Sequence, residues 1–125
     1  MKYRLIFFFV SAILTGGFSF AQTTQNAALD DFKAASTNQP GKQFPQVNSE
    51  GRVKASISAP QAQKVQLELG GKRYDLTKDE KGIWTGISDP QDEGFHYYML
   101  NIDGAQVPDP GSMYFYGVSR WGSGV

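Results

Sequence analysis

The sequence predicts an antiparallel β-sandwich of about seven short strands. Three observations carry that reading. Hydropathy alternates with a period of two from Arg52 onward, with Val53, Ala55 and Ile57 set against Lys54, Ser56 and Ser58. Turn residues recur at short intervals, at Gly70-Gly71, Asp79 to Gly82, Asp89-Pro90 to Gly94, and Asp103-Gly104. After residue 43 no stretch carries apolar residues at helical spacing.

Taken in order, the first element is an export signal. Lys2 and Arg4 precede an apolar run from Leu5 to Leu14, and Ser19-Phe20-Ala21 supplies the small-x-small pattern of a cleavage site. Residues 1–21 are therefore expected to be a cleavable signal peptide. Their apolar run falls short of the roughly 20 residues that cross a bilayer. The absence of cysteine removes the attachment point of a lipoprotein, any disulfide scaffold and every thiolate metal site. A secreted or periplasmic bacterial protein is expected, with no membrane association after cleavage.

Residues 22–43 are polar and broken by Pro40-Gly41. They read as a mobile leader or linker. The alternative is a short helix capped by Asn26 and running to Ala35, with Leu29 and Phe32 on one face.

The domain proper is expected over residues 44–125. Arg52–Ser58 and Lys64–Leu69 are half-buried strands by alternation, the second burying Val65, Leu67 and Leu69. Ala59-Pro60 stops the first, because proline has no N–H for a ladder. Gly70-Gly71 turns the chain into Arg73–Thr77. Ile83–Ile87 follows, with Ile83 and Ile87 expected inside and Trp84 outside. Phe95–Ile102 is the strongest strand and is apolar on both faces: Tyr98, Leu100 and Ile102 share one, Phe95, Tyr97 and Met99 the other. Asp103-Gly104 makes a type I′ turn into Ala105–Val107, and a last strand covers Met113–Val118. The pattern is that of an immunoglobulin-like sandwich.

Charge and motifs narrow the chemistry. Cleavage removes two of 12 basic side chains and none of 12 acidic ones, leaving the remainder acidic by two. That is no footprint for nucleic acid. Gly117-Val118-Ser119-Arg120-Trp121 begins like a nucleophile elbow, but a tryptophan stands where the tight turn needs glycine, and no helix follows. His96 is the single histidine, flanked by aromatic residues in a strand, and reads as structural. The acids cluster in turns without the spacing of a calcium loop. No catalytic residue, metal ligand or cofactor is expected. What remains is a surplus of large rings. Trp84, Tyr97, Tyr116 and Trp121 are the candidates for stacking on a sugar or docking on another domain.

The residues from Glu93-Gly94-Phe95-His96-Tyr97-Tyr98 through Asp103-Gly104 to Asp109-Pro110 resemble the late strands of carbohydrate-binding module family 48, an early-set immunoglobulin-like domain. Ala59 to Val65 and Gly82-Ile83-Trp84 resemble its first strands. Asn38 to Lys42, Val47 to Gly51 and Tyr116 to Gly124 further resemble the version of this domain that precedes the catalytic domain of secreted bacterial carbohydrate esterases of family 1, of the feruloyl and acetyl-xylan type. The resemblance implies an early-set sandwich and a partner: the protein's own serine esterase domain, expected beyond residue 125. It implies xylan or another polysaccharide as a possible ligand. Starch- and glycogen-binding members carry a tryptophan two residues beyond the glycine of the Asp-Gly turn. Here that position is Gln106, which weakens the alternative of an α-glucan module and leaves xylan binding or pure packing against the esterase.

Overall fold

A computed structural model describes residues 30–117 and 119–125. The expected signal peptide, residues 1–21, and Asn26 lie outside the described residues. Eleven strands are present among those described: β1 (Lys33–Ala34), β2 (Gln46–Val47), β3 (Val53–Ser58), β4 (Val65–Leu69), β5 (Lys72–Asp75), β6 (Thr77–Lys78), β7 (Ile83–Ile87), β8 (Tyr97–Ile102), β9 (Ala105–Val107), β10 (Tyr114–Gly117) and β11 (Arg120–Gly124). They form two antiparallel sheets in the orders β1-β2-β3-β7-β6 and β10-β11-β8-β4-β5, with β9 also paired to β8. The described residues contain no helix, and the arrangement agrees with the immunoglobulin-like sandwich expected from the sequence.

The core follows from the alternation. Val53 and Ala55 of β3 face Val65, Leu67 and Leu69 of β4 and Tyr98 and Leu100 of β8, all buried. Burying each large aliphatic side chain stabilises the fold by about 2 kcal/mol. Gly70 and Gly71 both have positive φ, as do Asp103 and Gly104, which is what tight hairpins of the type I′ family require.

Four expectations are corrected. The expected strand Arg73–Thr77 is two pieces in different sheets: β5 pairs with β4, then β6 pairs with β7. The crossing is made at Leu76, whose N–H donates to the Val65 carbonyl at 2.9 Å while its side chain enters the core. Gly86 allows the crossing, since a Cβ there would meet Leu76 Cγ at 2.9 Å and the Asp75 carbonyl at 3.1 Å.

Trp84 faces inward, 7% exposed, and Ile87 faces outward, 39% exposed. Pairing sets this: Trp84 lies opposite Ile57 and Gly86 opposite Ala55, so β7 gives the core one large ring between small neighbours. Counting isoleucines misreads that face because the tryptophan and the space left by Gly86 and Ala55 together fill it. The indole Nε1–H donates to the Ala59 carbonyl at 2.9 Å, so burial leaves no polar atom unpaired.

The third correction concerns the segment before residue 44. The described part of the alternative helix is a strand at Lys33–Ala34, paired with β2. Residues 37–39 then bind the other sheet's last turn: Met113 N–H donates to the Thr37 carbonyl at 2.8 Å and Gln39 N–H to the Gly111 carbonyl at 2.9 Å. The fourth is β11, a strand that the Gly- and Ser-rich closing segment did not suggest.

Candidate functional site

The second apolar face of β8 meets the hairpin of β10 and β11. Tyr114 lies opposite Ser123, Phe115 opposite Gly122, Tyr116 opposite Trp121 and Gly117 opposite Arg120. β11 in turn joins β8 only at Ser123–Tyr98 and Gly124–Tyr97. Beyond those pairs β9 occupies the same edge of β8, opposite Leu100 to Ile102. The hairpin therefore leaves the sheet and projects past the sandwich.

That geometry sorts the rings onto two faces. On the outer face, Phe95 meets Tyr97 edge-on at 5.0 Å and Phe115 at 4.9 Å. Glycines make room for them: a Cβ on Gly117 would run into the Tyr97 hydroxyl, and one on Gly124 into Phe95 and Phe115. On the other face, Tyr116 and Trp121 meet at 5.4 Å and 64°. They share the side of Ser123 but overhang the core, and are 62% and 60% exposed. The four sequence candidates thus divide. Tyr97, 41% exposed, lies on the outer face; Tyr116 and Trp121 lie together on the overhang; Trp84 is in the core and presents no ring to a ligand.

A buried polar knot anchors this edge. Tyr98 Oη donates to Asp109 Oδ2 at 2.7 Å, Gly111 N–H to Asp109 Oδ1 at 2.8 Å, and Asp109 N–H to Ser123 Oγ at 2.7 Å. Gly124 N–H donates to Ser112 Oγ at 3.0 Å. Burial pushes the Asp109 carboxyl above its ordinary value, against the hydrogen bonds from Tyr98 and Gly111. Burial, then the neighbouring Asp109 charge, pushes the Tyr98 phenol up as well. Sequence reasoning missed the knot, because Ser112 and Ser123 sit in segments that read as loop.

Beside Tyr97 the outer face forms an open groove of about 200 Å³, with Met99, Glu68, Gly117, Arg120 and Gly122 in its lining. Two of its lining residues, Glu68 and Arg120, are linked by a hydrogen-bonded chain through Gln106 that continues to Arg73. Arg73 Nε donates to Glu68 Oε2 at 3.1 Å, Gln106 Nε2 to Glu68 Oε1 at 2.7 Å, and Arg120 Nη1 to Gln106 Oε1 at 3.3 Å. The Gln106 amide first, and Arg73 with it, holds the Glu68 carboxyl below its ordinary value. These residues come from β4, β5, β9 and β11. Each is on the outward side of its strand, which the alternation of β4 and β9 carried, but their meeting depends on register.

Ser119 lies in the hairpin turn with φ +64° and is followed by a strand, so it occupies no nucleophile elbow. His96 Nε2 is 2.7 Å from the Asp92 carbonyl. Among the described residues no three His, Asp or Glu side chains are grouped to hold a metal ion.

Fold and site together define a β-sandwich module with an aromatic edge and an adjoining polar groove. No family model matches the chain. It is 46% identical over 100 residues to the endo-1,4-β-xylanase/feruloyl esterase of Xylanibacter ruminicola, an alignment that covers 77% of this chain and 14% of that protein. The chain is therefore similar to one domain-sized part of a much longer xylan-acting enzyme.

Proposed function

We propose that the chain is the non-catalytic accessory module of a secreted, xylan-directed carbohydrate esterase, of the family 48 type, and that its aromatic edge packs against the esterase domain. The observation that carries this reading is the concentration of exposed rings at one edge. Phe95, Tyr97, Tyr114, Tyr116 and Trp121, the exposed rings among the described residues, all lie there. Exposed rings gathered at one edge mark a surface meant to be covered. The Tyr116–Trp121 pair, at 64°, offers no flat shelf for consecutive sugars and suits a pocketed protein surface better.

A second role is favoured by the groove. There Tyr97 supplies an apolar face, and Glu68 and Arg120, linked through Gln106, supply polar groups, the combination that holds a sugar. Xylan is favoured over α-glucan because Gln106 takes the place of the ring that stacks on α-glucans. Calorimetric titration of the full chain with xylohexaose, using maltohexaose as control, tests this. Binding of the xylo-oligosaccharide alone, lost in Tyr97→Ala, is expected. Binding of neither sugar removes the ligand role and leaves packing, and binding of maltohexaose overturns the preference for xylan.

A further inference from the structure

We propose that the groove beside Tyr97 recognises a uronic acid carried on the xylan chain, with Arg120 as the residue that takes its carboxylate. The inference rests on the reading of that groove as a xylan site and adds a ligand class to it.

Charges beside the groove are unevenly matched. Glu68 is the carboxylate of the groove, and both of its oxygens are already used, one by Arg73 and one by Gln106. Arg73 and Glu68 are a matched ion pair at 3.1 Å. Arg120 belongs to none of the ion pairs formed among the described residues. Its side-chain hydrogen bond among the described residues goes to a neutral amide oxygen, Gln106 Oε1; the Glu68 carboxylate feels the Arg120 charge, but its two oxygens are taken by Gln106 and Arg73. Five N–H donors in a fixed fork leave the rest of that group directed to whatever enters the groove.

The surroundings limit the class of anion. Tyr97 and Met99 line the groove beside Arg120, with Gly117 and Gly122 in place of larger side chains. A Cβ on Gly122 would meet Tyr97 Cδ1 at 3.5 Å and Met99 Sδ at 3.7 Å, so the ring lies along the hairpin and keeps its other side to solvent. A ligand that fits has an apolar face for the ring, hydroxyls for the wall, and one negative charge for one arginine. A phosphate-rich polymer carries many charges and meets here one arginine outside the ion pairs, on a chain with no net positive charge, so it is not held. A sugar with a single carboxylate satisfies all three conditions, and the arginine–carboxylate fork is the stronger, charge-assisted kind of hydrogen bond.

The test compares xylotriose with glucuronic-acid-substituted xylotriose on the full chain by calorimetry, with Arg120→Gln beside the wild type. The acidic sugar is expected to bind about tenfold more tightly, and Arg120→Gln to abolish that tenfold difference, with any loss in xylotriose affinity smaller than the loss for the acidic sugar. Added salt should weaken the acidic sugar alone. Arg120 is exposed, so the variant is expected to keep its melting temperature. Equal affinity for the two sugars, or equal loss of both in Arg120→Gln, overturns the assignment to Arg120 and leaves the xylan site standing. Binding of neither sugar overturns both.

Discussion

The two tryptophans stand at opposite extremes of this molecule. Trp84 is 7% exposed, hydrogen-bonded through its indole nitrogen and pressed among the side chains between the sheets. Trp121 is 60% exposed and touches another exposed ring across the β10–β11 hairpin. Both come from strands, and a count of aromatic residues treats them alike. The difference is made by what occupies the neighbouring edge. β7 lies between β3 and β6, so its core side is closed over. β11 shares β8 with β9, so most of its length is pushed out beyond the sandwich. One ring stabilises the fold; the other is left for a partner.

The largest effect is expected from truncating the inner ring. Trp84→Ala removes a buried indole, leaves a cavity in the core between the sheets, and removes the indole's hydrogen bond to the Ala59 carbonyl, which keeps only the one from Ala62 N–H. A loss of about 4 kcal/mol is expected in urea unfolding. For a small domain whose whole stability is of the order of 5–15 kcal/mol, that is enough to bring it close to unfolding. A loss below about 1 kcal/mol would mean that the core side of β7 is not closed as described.

The next effect is at the knot that holds the hairpin to β8. Asp109→Ala leaves the Tyr98 hydroxyl and the Gly111 N–H without their acceptor in a buried site, at an expected cost of about 3 kcal/mol. The carboxyl also predicts a pH dependence. Its value in the folded protein is raised above the ordinary 3.8, so the folded state holds this proton more tightly than the unfolded chain does. Its contribution to stability is therefore fully present below pH 3.8 and is lost as pH rises through the raised value. Measured as the difference between the wild type and Asp109→Asn, which cannot ionise, the wild type should lose ground as pH rises from 3 to 7. A difference independent of pH would show that Asp109 titrates as an ordinary carboxyl.

These two regions were unequally legible in the sequence, and for physical reasons. β3, β4 and β8 were read correctly because each buries one face, and alternation records burial directly. Trp84 was misplaced because alternation says which residues share a side but not which side is inside; pairing with Ile57 decides that. The change of sheet at Leu76 leaves the local pattern undisturbed and so gave no signal. β11 was missed because Gly122, Ser123 and Gly124 have the composition of a loop. Their small size has another cause: Ser123 bonds Asp109, while Gly124 lies under Phe95 and Phe115. The aromatic edge was visible as a surplus of rings in a small chain, and Tyr97, Tyr116 and Trp121 are exposed as that surplus required. The wall of Glu68, Gln106 and Arg120 was not, since three strands far apart in the chain must be brought into register before the residues meet.

The smallest expected effect on stability is also the most informative about function. Trp121→Ser, combined with Tyr116→Ser, removes two rings that overhang the core. Unfolding free energy should change by no more than about 0.5 kcal/mol, because exposed side chains contribute little to the folded state. Solubility of the isolated chain should rise, since the exposed apolar patch shrinks. If the edge packs against an esterase domain, the same pair should weaken binding of the chain to the esterase part of the Xylanibacter protein, supplied separately and followed by gel filtration. The size of that loss should far exceed the change in stability, because central aromatic anchors dominate protein interfaces. A double variant that folds and still forms the complex would show that the overhang is not the docking surface. The outer rings Phe95, Tyr97 and Phe115 would then be left as the face that meets the esterase.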